Sequence, residues 1–236
     1  MRRSHRMFYL FVALVLVSSA IALSVTLTGN DGATVAPETA LAQTTSTAAA
    51  VDPTAGMAEV MLSADFAVGY TSVGQLKEAA DLVVRGEVTN VSYLDFNTCA
   101  YTRVTLKVAK CFKGDAAAGD QITILEVGGV TTMASVKGDK FGVATKADAE
   151  TKVKVLLDGA PLTQVGEECL YFLGQGKINI VPGTYYVPMG AFQGRFKIDN
   201  GTAKRFVPID MQGGKISSLT MDEPAVDNTV TQAAAQ

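Results

Sequence analysis

A tyrosine pair followed by a phenylalanine and an arginine is the group of residues in this sequence best suited to binding a ligand. Tyr185 and Tyr186 are adjacent, and Phe192 and Arg195 follow a short distance along the chain. Aromatic rings offer a large apolar surface, and a guanidinium stacks on rings and donates several hydrogen bonds. We therefore predict these four as candidate binding residues. The alternative is that they pack in the core and at its rim.

The acidic residues form no evident catalytic pair. Glu167 and Glu168 are adjacent, and successive side chains of a strand point to opposite faces of a sheet. They are better explained as the solvated entrance to a strand. The glycine spacing of a phosphate-binding loop is imitated by residues 114–119, GDAAAG, but Asp120 stands where such a loop requires lysine. We predict no catalytic residue, no metal ligand and no cofactor.

Histidine and cysteine usage excludes several common chemistries. The single histidine is His5, at the extreme N-terminus. A Ser-His-Asp triad, a Cys-His pair and an HExxH zinc site are therefore excluded from the rest of the chain. Cys99 and Cys111 lie along one predicted strand, too far apart for a disulfide, so any disulfide must include Cys169. The alternative is that the cysteines are small buried residues in strands.

The start of the chain has the composition of an export signal. Residues 7–28 carry no charge, and three arginines precede them. About 20 apolar residues can cross a bilayer as a helix, and the basic residues before them stay on the cytoplasmic side. Two alternatives remain: an uncleaved signal anchor, which makes the membrane a partner, or a signal peptide cleaved near Ala22 and secretion. Both place the rest of the chain outside the cytoplasm.

Composition divides the chain into four parts. After residues 1–28, residues 29–56 are rich in Ala, Thr, Gly and Pro and are predicted to be a disordered linker. Residues 57–218 form one predicted domain, and residues 219–236 a disordered tail. The domain holds 17 Lys plus Arg and 17 Asp plus Glu. This balance gives no basic field for nucleic acid, which we exclude as a partner.

Strands dominate the predicted domain. Ser72 and Gln75 have the spacing of a capping box for a short helix that ends near Asp81. The order of strands without regular helical crossovers predicts a mainly β fold, an OB-like antiparallel barrel of about five to seven strands with one or two short helices. The region 130–162 gives no clear pattern. The strands are predicted at residues 82–91, 101–112, 121–127, 166–173, 185–187 and 194–198, and after an Asn200-Gly201 hairpin turn.

Five segments taken in order carry a family resemblance. They read SVGQLKEAADLVVRGEV, YTRVTLKVAKCFKGD, GDQITILEVGG, VGEECLYFLGQG and QGRFKIDNG. In this order they resemble a family of secreted or membrane-tethered bacterial β-proteins that are mostly uncharacterised. The chain is also distantly similar to the netrin-like OB barrels of tissue inhibitors of metalloproteinases. Those inhibitors use a mature N-terminal cysteine, and here no cysteine precedes Cys99. Cys169 stands where the bacterial family usually has tyrosine, and the family implies no catalytic residue.

Three functional hypotheses follow from these observations. The first is a non-enzymatic extracytoplasmic β-barrel domain that binds an unknown protein or cell-envelope ligand. The second is a carboxylate-based hydrolase of a cell-wall or glycan substrate, which needs two acidic side chains facing each other across a cleft. The third, a secreted protease inhibitor, rests on the fold resemblance alone.

Overall fold

The computed structural model describes residues 52–137, 146–208 and 220–222. Within these ranges no helix is long and apolar enough to cross a membrane. The predicted export segment, residues 1–28, lies outside the described residues, as do residues 29–51 of the predicted linker. The described elements are the strands β1 Ala58–Leu62, β2 Leu82–Phe96, β3 Cys99–Lys113, β4 Gln121–Val127, β5 Gly129–Thr132, β6 Lys152–Leu157, β7 Glu168–Gln175, β8 Tyr186–Pro188, β9 Arg195–Asp199, β10 Thr202–Arg205 and β11 Thr220–Asp222, the helices α1 Val73–Ala79, α2 Met133–Lys137 and α3 Lys146–Glu150, and a 3-10 helix at Ala191–Gly194.

Hydrogen bonds close five of these strands into a ring. The long hairpin of β2 and β3 is antiparallel, β4 continues it beside β3, and β7 continues it beside β2. β8 then pairs with both β7 and β4. β9, β10 and β11 extend the sheet from β7. The predicted mainly β, barrel-like fold is confirmed.

Side-chain alternation explains why β3 forms where it does. Val104, Leu106 and Val108 were predicted to face inward and are at most 2% exposed, whereas Arg103 and Lys107 are exposed. An apolar residue at every second position buries one face of a strand and leaves the other in water. The buried side chains of β3 thus form part of the hydrophobic core inside the ring.

A second core covers the outside of β2 and β7. Leu76 and Ala80 of the α1 region pack there with Val83, Phe172 and Phe196. The helix begins as predicted, because the Ser72 hydroxyl accepts a hydrogen bond from the Gln75 N–H at 3.2 Å. With cores on both faces, β7 is buried on both sides, as predicted: residues 169–173 have no exposed surface.

The predicted Asn200-Gly201 hairpin is confirmed. Asp199 pairs with Thr202, which leaves a two-residue turn, and both turn residues have positive φ, 47° and 76°. A type I′ turn requires this conformation, which asparagine tolerates and glycine adopts freely. The turn sets the register that buries Phe196 and Ile198 on one face.

The described structure extends beyond both predicted domain boundaries, residues 57 and 218. Thr54 is 1% exposed and bonds to Asp52, so the ordered domain begins before residue 57. β11, Thr220–Asp222, falls within the predicted tail and pairs with β10. The tail beyond residue 222 lies outside the described residues. Within the unclear region 130–162, β6 pairs with β5 and, in parallel, with β1 to form a small second sheet.

The three cysteines are free. β2 lies between β3 and β7, which separates Cys111 from Cys169 by two strand spacings, about 9.5 Å, too far for a disulfide. The buried interpretation is confirmed for Cys169 and wrong for Cys99, which is exposed. Burial raises the pKa of the Cys169 thiol to about 12.

Candidate functional site

The ring of strands is weakest where β4 meets β8. These two strands share a single residue pair, Ile124 with Tyr186, in parallel orientation. Every other junction of the ring has at least three residue pairs. The junction between β4 and β8 is therefore the natural place for an opening in the ring.

Pro188 explains why the pairing stops after one residue. The Gly176 N–H donates to the Tyr185 carbonyl and the Met189 N–H donates to the Phe172 carbonyl, so the odd-numbered residues of this segment face β7. Alternate residues of a strand face opposite neighbours, which turns Tyr186 and Pro188 toward β4. Proline has no N–H and cannot continue a ladder.

An apolar cleft of about 620 Å³ lies beside this junction. Apolar side chains dominate its lining, and several remain open to solvent: Val127 is 40% exposed, Val187 36% and Ile178 58%. Leu125 and Met189 also contribute to the lining. The volume lies within the range of about 300–1,000 Å³ that is typical of ligand sites.

Tyr185 forms a fixed wall of the apolar cleft. It is 4% exposed, and its hydroxyl donates a short hydrogen bond to the Ile178 carbonyl. A Cβ on Gly176 would overlap the Tyr185 ring, so only glycine allows this close packing. The tyrosine thereby holds the loop 176–183 against the cleft. Burial, with smaller contributions from Cys99 and Tyr185, raises the pKa of Tyr101, which also lines the cleft.

A second, polar cleft of about 520 Å³ adjoins the first. Asp81 and Gln175 line both clefts, and Asp115 and Asp120 line the polar one together with Tyr186. Two of these carboxylates accept backbone hydrogen bonds: Asp81 from the Gln175 N–H at 2.9 Å, and Asp120 from the Ala117 N–H at 2.8 Å. In the part of the chain that the structure describes, no group of three His, Cys, Asp or Glu residues could hold a metal ion.

Arg195 belongs to a buried ion pair instead of an open site. Its Nη1 lies 2.8 Å from Glu126 Oε2, and both side chains are 10% exposed. Tyr171 donates to Glu126 Oε1 at 2.9 Å, and Thr163 donates to Glu126 Oε2 at 2.7 Å. The Arg195 guanidinium also donates to Thr163 and to the Pro161 carbonyl. The network thus ties β4, β7 and β9 to the loop before β7.

The protonation states of this network follow from its geometry. Burial, the largest single effect, acts to lower the pKa of Arg195, but the Glu126 carboxylate together with Tyr171, Cys169 and Glu167 more than offsets it, and the pKa is raised. Burial, reinforced by the Glu126 charge, raises the pKa of Tyr171. Arg195 is therefore charged and Tyr171 neutral at neutral pH, and the group acts as a clamp within the fold.

The four predicted binding residues do not form one patch. Tyr185 lines the apolar cleft, Tyr186 lines the polar cleft, and Arg195 is in the buried ion pair. Phe192 is 6% exposed and packs edge-on between Phe66 and Phe206, at centroid distances of 5.3 and 5.7 Å. Core packing therefore accounts for Phe192.

Sequence reasoning missed the residue that opens the cleft. Pro188 follows directly on the predicted strand at 185–187. A proline at that point indicates an edge or an interrupted ladder, so the signal was present. Val127 and Ile178 gave no comparable signal, because a single apolar residue at a strand end or in a loop is common.

No protein-family model matches the chain, and no curated protein matches it significantly.

Proposed function

We propose that the chain is a non-enzymatic, extracytoplasmic binding domain of OB-like form, and that it binds a protein or cell-envelope ligand through the apolar cleft. The observation that carries the proposal is the cleft itself, about 620 Å³ in volume, with apolar side chains exposed along it. Exposed apolar surface of this kind often marks a site of interaction. The uncharged run at residues 7–28 supports a location outside the cytoplasm.

The absence of usual catalytic groups supports binding over catalysis. No histidine follows His5, so the commonest general base has no representative in the rest of the chain. The Arg195 guanidinium, the strongest candidate for an electrophilic role, is already paired with Glu126. Two charged residues line the apolar cleft, the acidic Asp81 and the basic Lys177. The Asp81 carboxylate already accepts a hydrogen bond from a backbone N–H.

Capture from cell-envelope extract tests this proposal. The full-length chain with a C-terminal affinity tag is compared with two variants, Val187→Glu in the cleft and Val165→Glu as a control. Val165 is 46% exposed and does not line the cleft, so the two substitutions add the same charge to surfaces of similar exposure. We expect Val187→Glu to lose a component that the parent and the control retain. Identical captures by all three chains would contradict the proposal.

The polar cleft favours one alternative function, a carboxylate-based hydrolase of a cell-wall or glycan substrate. Asp81, Asp115 and Asp120 all line it, and glycoside cleavage needs two carboxyl groups about 5 to 9.5 Å apart. In this case the purified chain would cleave peptidoglycan fragments or glycans, and Asp115→Asn would abolish the cleavage. An absence of turnover by the parent chain would remove this alternative. The protease-inhibitor hypothesis stays a prediction from the fold resemblance.

A further inference from the structure

We infer that two copies of this chain pair through the open edge of β1, as antiparallel strands about a two-fold axis at Val60. The inference goes beyond the proposed function and does not involve the apolar cleft. It depends on the backbone groups of β1, on the exposure of that strand and on the charge of Glu59.

The backbone of β1 presents two residues to its open edge. Asp158 directly follows β6, and its N–H donates to the Leu62 carbonyl at 2.7 Å. Leu62 therefore directs its backbone groups toward β6. Because alternate residues of a strand face opposite neighbours, the N–H and C=O groups of Glu59 and Met61 point away from β6.

This edge of β1 is open to solvent. β1 is the outermost strand of the small sheet, in the order β1, β6, β5. In the part of the chain that the structure describes, no group bonds to the N–H or C=O of Glu59 or Met61. Ala58 and Glu59 are exposed, and Met61 is 57% exposed. Unpaired backbone groups on an exposed edge are a template for another strand.

A second copy of β1 offers matching groups. When two β1 strands run antiparallel with Val60 opposite its own copy, Glu59 of each strand lies opposite Met61 of the other. In a hydrogen-bonded antiparallel pair, the two residues exchange both N–H···O bonds. Glu59 and Met61 each carry one N–H and one C=O, so two copies bring eight free groups. The two pairs join all eight in four hydrogen bonds.

The charge of Glu59 favours this register. A two-fold axis at Glu59 would place two carboxylates directly opposite each other, which is destabilising. An axis at Met61 would pair Glu59 with Ser63, beyond the end of β1. With the axis at Val60, Glu59 instead meets the uncharged Met61. Lys154 Nζ lies 2.8 Å from Glu59 Oε1, so the charge that would deter pairing at a strand edge is already balanced.

The apolar face of β1 fits the same register. Val60 and Leu62 are half-buried against a core that includes Val153 and Val155. Side chains directly opposite on antiparallel strands lie on one face, so Val60 meets Val60 of the second copy and Leu62 meets its Ala58. The core of the small sheet thereby continues across the axis. Each open edge is used once, so the assembly closes at two copies.

Cysteine cross-linking tests the register. Two full-length chains with different C-terminal epitope tags are co-expressed, one with Glu59→Cys and the other with Met61→Cys. Both also carry Cys99→Ser, because Cys99 is exposed and would react. In the proposed pair the two new cysteines lie opposite each other, with Cα atoms about 5.5 Å apart, which a disulfide can bridge. On addition of diamide to the cells, we expect a covalent dimer that carries both tags.

Identical variants provide the matched control for this cross-link. Two copies of Glu59→Cys would have their cysteines offset by two residues along the strands. At ~3.4 Å per residue and a strand spacing of ~4.8 Å, the Cα atoms are about 8 Å apart, too far for a disulfide. The same distance separates two copies of Met61→Cys. We therefore expect no covalent dimer when either variant is expressed alone.

A proline variant tests the hydrogen bonds. The Met61 N–H points away from β6, so Met61→Pro removes a donor from the open edge and none from the ladder to β6. Met61→Ala also shortens the side chain but keeps the N–H, which makes it the matched control. By symmetry the proline removes two of the four bonds between the copies. In sedimentation of the full-length chain in detergent micelles, we expect Met61→Pro to dimerise at least fivefold more weakly than Met61→Ala. Thermal melts verify that both variants are folded.

The outcomes separate pairing at β1 from other arrangements. A disulfide between the two different variants, together with weaker dimerisation of Met61→Pro, supports the inference. The inference is overturned if the full-length chain is monomeric at every concentration measured, if Met61→Pro dimerises as well as Met61→Ala, or if identical variants cross-link as readily as the mixed pair. A disulfide from position 61 to a different protein also overturns it. The proposed function is tested separately by Val187→Glu and survives each of these results.

Discussion

Replacing Arg195 with methionine should destabilise the fold strongly, because the change leaves a buried carboxylate without its partner. Arg195 lies 2.8 Å from Glu126 Oε2, and both side chains are 10% exposed. Methionine keeps an unbranched apolar chain in the space but supplies no charge and no donor. Breaking a buried ion pair by removing one partner costs about 3–5 kcal/mol of unfolding free energy. We expect a loss in this range.

Urea unfolding measures the effect. The chain has seven tyrosines and no tryptophan, so residues 29–236 would be followed by tyrosine fluorescence and circular dichroism with linear extrapolation to water. The matched control is Arg103→Met, since Arg103 is exposed on β3. Substitution of an exposed residue of this kind changes stability by about 0.5 kcal/mol or less.

A double variant separates the charge from the packing. In Glu126→Gln with Arg195→Met, no unpaired charge remains, and the glutamine oxygen can still accept the Tyr171 hydrogen bond. We expect the double variant to be at least ~1 kcal/mol more stable than Arg195→Met alone. A loss below ~1 kcal/mol for Arg195→Met would refute the clamp and return Arg195 to the list of binding candidates.

Three further predictions concern the turn, the thiols and the tail. Gly201→Val should lower the unfolding free energy by about 1–3 kcal/mol, because a β-branched side chain resists the positive φ of this turn. The control Gly201→Asn should cost clearly less. Equal melting temperatures for Gly201→Val and the parent would mean that the hairpin is misassigned. At pH 8 maleimide should modify the exposed Cys99 within minutes and leave the buried Cys169 unmodified. The raised pKa of Cys169, about 12, leaves on the order of 10⁻⁴ of that thiol ionised. Mass spectrometry that showed both thiols modified in the folded chain would contradict the burial of Cys169. Truncation after Pro208 should lower the melting temperature more than truncation after Asp222, because only the first removes β11. A lower melting temperature for the truncation after Asp222 would show that β11 contributes no stability.

Local signals in the sequence were sufficient to locate the individual strands of the ring. Alternation at Val104, Leu106 and Val108 identifies β3 and its buried face, because a period of two belongs to strands alone. The Asn200-Gly201 pair fixes its own turn through backbone conformation. These features depend on neighbouring residues, and the structure agrees with each of them.

Long-range pairings could not be predicted in the same way. β1 pairs in parallel with β6 across more than 90 residues of chain, and nothing in either segment specifies the other. Glu126 and Arg195 are 69 residues apart, so the ion pair that buries the predicted binding arginine had no signal in the sequence. The apolar cleft could be predicted only in part. Pro188 is a local signal for an interrupted strand, but its position beside β4 depends on the closing of the ring.

Photo-crosslinking in the producing cells tests most directly whether the apolar cleft is the binding surface. A benzophenone amino acid would replace Val187 in the apolar cleft, Asp115 in the polar cleft or Val165 outside both, in three separate full-length chains. The adducts formed on irradiation would then be compared by size and by mass spectrometry. We predict a discrete adduct from position 187 and none from positions 115 and 165. An adduct from position 115 alone, or the same products from all three positions, would contradict the account.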